Sequence, residues 1–123
     1  MATVGMVGLG AMGAPMVRNL LKAKTLYEIV SRSSGDCWVL NNNHPVPGLV
    51  SASAANREYR PGFSSTLMLK DLHLSQDAAH SFGAYTPLGA RATELYYDFV
   101  QAGNGELDFG AIIKKIESEE LDR

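Results

Sequence analysis

The sequence predicts a mainly α-helical fold opened by a single βα unit. Thr3 to Val7 is short, apolar and partly β-branched, as a buried strand is, and glycines 8, 10 and 13 follow it before a helical pattern begins. From residue 63 onward, apolar residues return at helical period in three successive stretches. Length agrees, because 123 residues suit one domain, or one and a fragment.

The first helix is expected from Met16, Leu20, Ala23, Tyr27 and Val30, spaced alternately by four and three residues on one face. No Gly or Pro interrupts Met16 to Arg32, and Ser33-Ser34-Gly35 is the first plausible stop; Lys24 stands where a helix of ordinary length would end. A competing reading makes Leu26-Tyr27-Glu28-Ile29-Val30 the next strand of a βαβ unit, with Arg32 near a ribose. The helix is favoured because no turn separates Leu20 from Leu26.

Residues 36 to 62 are turn-rich, with Asn41-Asn42-Asn43-His44-Pro45-Val46-Pro47-Gly48 and Arg60-Pro61-Gly62. Trp38, Val46, Leu49, Val50 and Tyr59 are expected to anchor this stretch as a packed irregular connection. The next helix carries Met68, Leu72, Ser75, Ala79 and Phe82 and stops at Gly83. Another carries Leu88, Ala92, Leu95, Phe99 and Ala102, with Thr86 as N-cap, Pro87 as first helical residue and Gly103-Asn104-Gly105 as its end. Asp108 is expected to cap a last helix with Phe109, Ile112, Ile113 and Ile116, and the acidic tail from Glu117 is expected to be solvated.

Composition narrows the function classes. A hydrophobic fraction of 46% permits a packed core. A net charge of -2 and a pI near 5.9 give no pull toward nucleic acid or an anionic membrane. Cys37 is the only cysteine, which excludes an internal disulfide and points to a reducing compartment; beside Trp38 it is expected to be buried. No apolar run approaches the roughly 20 residues of a spanning helix, and no signal or transit character is visible, so a cytoplasmic location is expected, or a mitochondrial one for a eukaryotic fragment.

The glycines carry the first candidate chemistry. Gly8-Leu9-Gly10-Ala11-Met12-Gly13, between a strand and a helix, is a dinucleotide-binding fingerprint. Gly8 permits the tight turn, Gly10 lets backbone approach a pyrophosphate, and Gly13 lets helix pack on strand. The amides of Ala11 to Gly13 would face the phosphates from the positive end of a helix, with Pro15 in the first turn. The plain alternative is a glycine-rich turn without a ligand.

Lys70 is the second candidate. It breaks the apolar stretch Leu67-Met68-Leu69-Lys70-Asp71-Leu72 and lies seven residues after Phe63, so both are expected to face one cleft from one helix. Either it reaches a cofactor or a carboxylate substrate, or it sits on a solvated face paired with Asp71 or Glu58. His73 and His80 would lie about 10 Å apart along a helix, too far for a shared metal with bonds of about 2 Å. His44 stands alone, and no Ser-His-Asp set can be placed.

These residues together resemble a known family. Gly8-Leu9-Gly10-Ala11-Met12-Gly13-Ala14-Pro15-Met16-Val17-Arg18-Asn19-Leu20 is similar to the opening of the β-hydroxyacid dehydrogenases, in character most like the 3-hydroxyisobutyrate dehydrogenases of valine breakdown. Ser33-Ser34-Gly35-Asp36-Cys37-Trp38, Pro45-Val46-Pro47-Gly48, Gly62-Phe63, Leu67 to Leu72, Pro87-Leu88-Gly89-Ala90 and Leu107-Asp108-Phe109 resemble that family's C-terminal helical domain in order and spacing.

The resemblance implies a remnant Rossmann βα unit over residues 1–24, followed over 25–123 by a 6-phosphogluconate-dehydrogenase-like C-terminal helical domain. It implies NAD as cofactor, with NADP as the alternative, and a hydroxyacid as substrate. It assigns Gly8, Leu9, Gly10, Ala11, Met12 and Gly13 to the pyrophosphate loop, Lys70 to the nicotinamide side, and Phe63 and Asp71 to the substrate end. It also implies a homodimer through the C-terminal helices, with no nucleic-acid or membrane partner.

The rest of the family's Rossmann sheet, its Ser-Gly-Gly loop and its Gly-x-x-Gly-x-x-x-Lys-x-x-Asn helix have no counterpart in these residues. The family's general acid/base lysine is therefore absent, so no catalytic residue is assigned. Residues 22 to 26 resemble a junction where the first helix runs into the end of that interdomain helix. The expectation is a deletion variant or gene remnant, inactive as a dehydrogenase or serving as a non-enzymatic helical module.

Overall fold

Helices make up the described part of the computed structural model, which covers residues 23–121. The expected strand Thr3 to Val7, the glycine turn and the start of the first helix lie outside the described residues. Helix α1 spans Ala23–Val30, so Leu26 to Val30 are helical and the strand alternative for them falls. The chain turns at residues 31–35, where the Ser33 amide and hydroxyl both donate to the Val30 carbonyl.

Residues 36–62 form the irregular connection the turn signals predict. It holds a short helix α2, Trp38–Asn42, and a 3-10 turn, Ala54–Arg57. Val50 and Tyr59 are buried in it as expected. Trp38 is not: its side chain is 69% exposed, and Cys37 beside it is exposed too. Both stand at the start of α2, where the chain faces an open cleft, and so the expected burial of this pair is corrected.

Helix α3, Ser65–Ser81, starts with the Ser64 side chain accepting the Leu67 amide. It stops at Phe82 and at Gly83, whose φ of 65° suits a residue without a side chain. Helix α4, Pro87–Phe99, begins with Pro at its first position. Thr86 occupies the N-cap but makes no capping hydrogen bond; its hydroxyl donates instead to Gln76 Oε1 at 2.9 Å, tying the turn to α3. A π turn, Val100–Asn104, with Gly103 at φ 92°, ends the helix where the glycines predict. A 3-10 turn, Phe109–Ile112, then runs into α5, Ile113–Leu121.

Helices α3 and α4 pack on each other as a helical hairpin, as the five-residue connection requires. Their base meets the π turn and the Phe109–Ile112 turn. There Phe99 and Ala111 are buried with Ala55 and Tyr59, and Leu107, Ile112 and Ile113 close over them. Toward the hairpin tip the apolar faces open: Phe82, Tyr85 and Leu88 are exposed. Phe82 and Leu88, expected on inward faces, are therefore at the surface. Among the described residues no strand forms; Ser64 and Asp108 make one isolated antiparallel bridge.

Candidate functional site

The bridge places a buried carboxylate between three distant parts of the chain. Asp108 is 2% exposed. Its Oδ1 accepts from Asn43 Nδ2 at 2.7 Å and from the Gly110 amide at 3.0 Å. Its Oδ2 accepts from the Gly62 amide at 3.0 Å and the Phe63 amide at 3.3 Å. Its own amide donates to the Tyr59 carbonyl at 2.8 Å, and its carbonyl accepts from the Ser65 hydroxyl and the Ala111 amide. Asn43 is tied at its other end too, its Oδ1 accepting the Ala54 amide at 3.0 Å. Nearby, the Ser53 hydroxyl donates to the His44 carbonyl and accepts the Ala55 amide. Sequence reasoning finds Asp108 as a helix cap and as part of the Leu107-Asp108-Phe109 motif, and the capping role holds through Gly110.

An open cleft of about 590 Å³ lies over this carboxylate, within the size range of small-molecule sites. Trp38, Phe63, Met68 and Phe109 give it apolar walls, and Arg57 and Asn42 give it polar ones. The Phe63 and Phe109 rings meet edge to face at 6.1 Å, and the Phe109 amide donates to the Phe63 carbonyl at 2.9 Å. The Arg57 guanidinium group donates to the Ala52 and Arg60 carbonyls at 3.1 and 3.2 Å. Among the described residues no carboxylate lies within ion-pair distance of it, so the cleft carries one held cation beside the buried Asp108 carboxylate. Arg57 has no signal in the sequence pattern; its place follows from the tight turn that Ala54–Arg57 makes.

Lys70 and Asp71 are neighbours on α3 and form an ion pair at 3.0 Å, both side chains more than half exposed. Phe63 stands two residues ahead of α3 and not on it, which corrects the one-helix placement of Phe63 and Lys70. Met68 is the α3 residue that lines the cleft with Phe63. The structure thus joins Lys70 to Asp71 and Phe63 to the cleft. Gly8, Leu9, Gly10, Ala11, Met12 and Gly13 lie outside the described residues.

Burial shifts the titratable groups held in this packing. Burial pushes the Tyr96 phenol up to about 12, with the Asp108 carboxylate adding to the shift, and its hydroxyl donates to the Phe109 carbonyl at 2.8 Å. Burial lowers the pKa of His44, whose Nδ1 accepts the Val46 amide at 3.1 Å. No group of three or more His, Cys, Asp or Glu able to hold a metal occurs among the described residues. No helix among them is long and apolar enough to cross a membrane.

The cleft thus joins apolar walls to one cation and one buried carboxylate. Residues 1–116 match the family model described as NAD-binding of NADP-dependent 3-hydroxyisobutyrate dehydrogenase, and the chain belongs to that family. A probable 3-hydroxyisobutyrate dehydrogenase from Mycobacterium tuberculosis is 44% identical over 93 residues, 76% of this chain and 31% of the relative. An NAD-dependent L-serine dehydrogenase from Pseudomonas aeruginosa is 41% identical over 109 residues, 89% of this chain and 37% of the relative. The mitochondrial 3-hydroxyisobutyrate dehydrogenase of Drosophila melanogaster is 34% identical over 98% of this chain and 37% of its own length.

A solved structure of the Mycobacterium tuberculosis 3-hydroxyisobutyrate dehydrogenase with L-serine superposes with a TM-score of 0.76 and 37% identity, over 93% of this chain and 38% of that one. The Salmonella typhimurium 3-hydroxyisobutyrate dehydrogenase, at 24% identity and a TM-score of 0.64, shares the fold. The chain spans about a third of the length of the relatives it matches.

Proposed function

We propose that residues 25–123 are the C-terminal helical domain of a 3-hydroxyisobutyrate-dehydrogenase-like oxidoreductase, and residues 1–24 a shortened dinucleotide-binding βα unit. The intact reaction is the NAD-dependent oxidation of a 3-hydroxy acid, as in valine breakdown. The family match across residues 1–116 carries this reading, and the cleft beside Arg57 supports it. Within it, the loop from Gly8 to Gly13 takes the pyrophosphate. The Lys70 cation serves the nicotinamide side, and Phe63 and Asp71 stand at the substrate end. Bound NAD would supply the hydride acceptor. The residues of this chain orient and enclose the ligand, but its sequence holds no lysine in a Gly-x-x-Gly-x-x-x-Lys-x-x-Asn pattern to take the hydroxyl proton. These 123 residues by themselves are accordingly expected to bind cofactor without turnover.

Calorimetric titration with NAD, run beside a dehydrogenase assay on 3-hydroxyisobutyrate, tests the reading. Binding heat without NADH formation supports it, and a folded chain that gives no binding heat overturns it.

A second reading, a helical association module, is favoured by one observation: Phe82, Tyr85 and Leu88 are 89%, 91% and 85% exposed together at the hairpin tip. Under it the chain forms a homodimer through its C-terminal helices. Sedimentation across a concentration series distinguishes the two, since a monomer at every concentration removes the module.

A further inference from the structure

We infer that Asp108 is a positioning residue for the cleft: its carboxylate clasps the Gly62–Phe63 turn to the Asn43 segment and fixes the wall that Phe63 presents to a ligand. This rests on the cleft being part of the ligand site proposed above, with Phe63 at its substrate end. The clasp uses both oxygens, each taking two N–H donors. No cation among the described residues pairs with the carboxylate, so the N–H groups are what holds it.

The geometry leaves little slack. Asn43 cannot turn its amide around, because its Oδ1 already takes the Ala54 amide. A methyl group at Gly110 would lie 3.2 Å from Asp108 Oδ1 and 3.4 Å from Asn43 Nδ2, so backbone and clasp are in close contact. The turn it holds is the one whose carbonyl, at Phe63, accepts the Phe109 amide, and whose ring meets the Phe109 ring. Loosening Gly62 and Phe63 would therefore move the aromatic wall and the entry into α3.

An amide cannot replace the carboxylate at this position. In D108N one side must present an NH2 group to donors, either to the Gly62 and Phe63 amides or to Asn43 and Gly110. The swap N43D/D108N removes most of this conflict. The oxygen of the amide at position 108 can then face Gly62 and Phe63. Its NH2 group donates to the carboxylate at position 43, at the loss of the Gly110 contact alone.

The test compares wild type, D108N and the swap by amide hydrogen exchange and by NAD titration. The single tryptophan, Trp38, stands in the cleft wall and reports binding by its fluorescence. In D108N, exchange at the Gly62 and Phe63 amides rises about tenfold or more, and NAD affinity falls about tenfold. Exchange at the Leu95 amide, inside α4, stays unchanged, and the swap restores both readouts. The inference is overturned if Gly62 and Phe63 keep their protection in D108N, if Leu95 loses protection equally, or if the swap restores nothing. Should D108N fail to fold, the swap decides: a folded, protected swap supports the clasp and an unfolded one overturns it. Failure of the wild-type chain to bind NAD overturns the cofactor reading, while the exchange measurement still decides the clasp.

Discussion

A buried carboxylate with four N–H donors is costly to remove. Asp108→Ala leaves the Gly62, Phe63 and Gly110 amides and the Asn43 NH2 group without their acceptor beneath the cleft. With each orphaned donor costing roughly 1–3 kcal/mol, partly relieved by water, the expected loss is about 3–5 kcal/mol in urea unfolding. Partners of Asp108 lie 65 and 46 residues away in sequence, which is why local pattern identifies its capping role and its motif but not these partners. His44 makes a second prediction. It is 6% exposed, packs edge to face on Tyr27, and offers Nδ1 as an acceptor, so the folded state favours the neutral form. A lowered folded pKa means that the unfolded chain binds the extra proton first. Stability should be full above the ordinary His value of about 6.5 and fall as pH drops through it toward the lowered folded value. His44→Gln should flatten that slope in thermal melts taken across the range, and an unchanged slope would remove His44 as its source. Glu58, at φ 58°, sits in the left-handed region without being glycine. Glu58→Gly should stabilise the chain by about 0.5–1 kcal/mol in the same melts, the relief of strain exceeding the added unfolded entropy.

Helices are where the sequence is most readable. Period and punctuation place α4 and the end of α3 to within a few residues, because Gly83, Pro87 and Gly103 act through their own backbone. Ser64→Ala should cost about 1 kcal/mol by removing the acceptor for the Leu67 amide, and a melt of that variant checks it. What period cannot supply is which apolar face finds a partner. Phe82 and Leu88 fit the inward pattern yet stand exposed, because no other element of the described chain reaches the hairpin tip. Trp38 and Cys37 miss their expected burial for a related reason: apolar character marks a residue able to be covered, yet Trp38 lines an open cleft and Cys37 is exposed beside it. The candidate site divides in the same way. Phe63 is legible from the Gly62-Phe63 motif, whereas Arg57 and Asn43 enter through a turn and a long-range hydrogen bond.

Taken as one body, the described chain is a helical hairpin set on a small core, with the cleft at its base. It belongs to the NAD-binding domain family of the 3-hydroxyisobutyrate dehydrogenases and spans about a third of its relatives' length. On the proposed function, ligand-holding parts are present while the proton-transfer lysine is not among these residues. Calorimetric titration of NAD into the chain in the presence of 3-hydroxyisobutyrate reads both properties together. A saturable binding heat that returns to baseline, with no NADH formed, is the expected result. A steady heat of turnover with accumulating NADH, or a folded chain giving no binding heat, would contradict it.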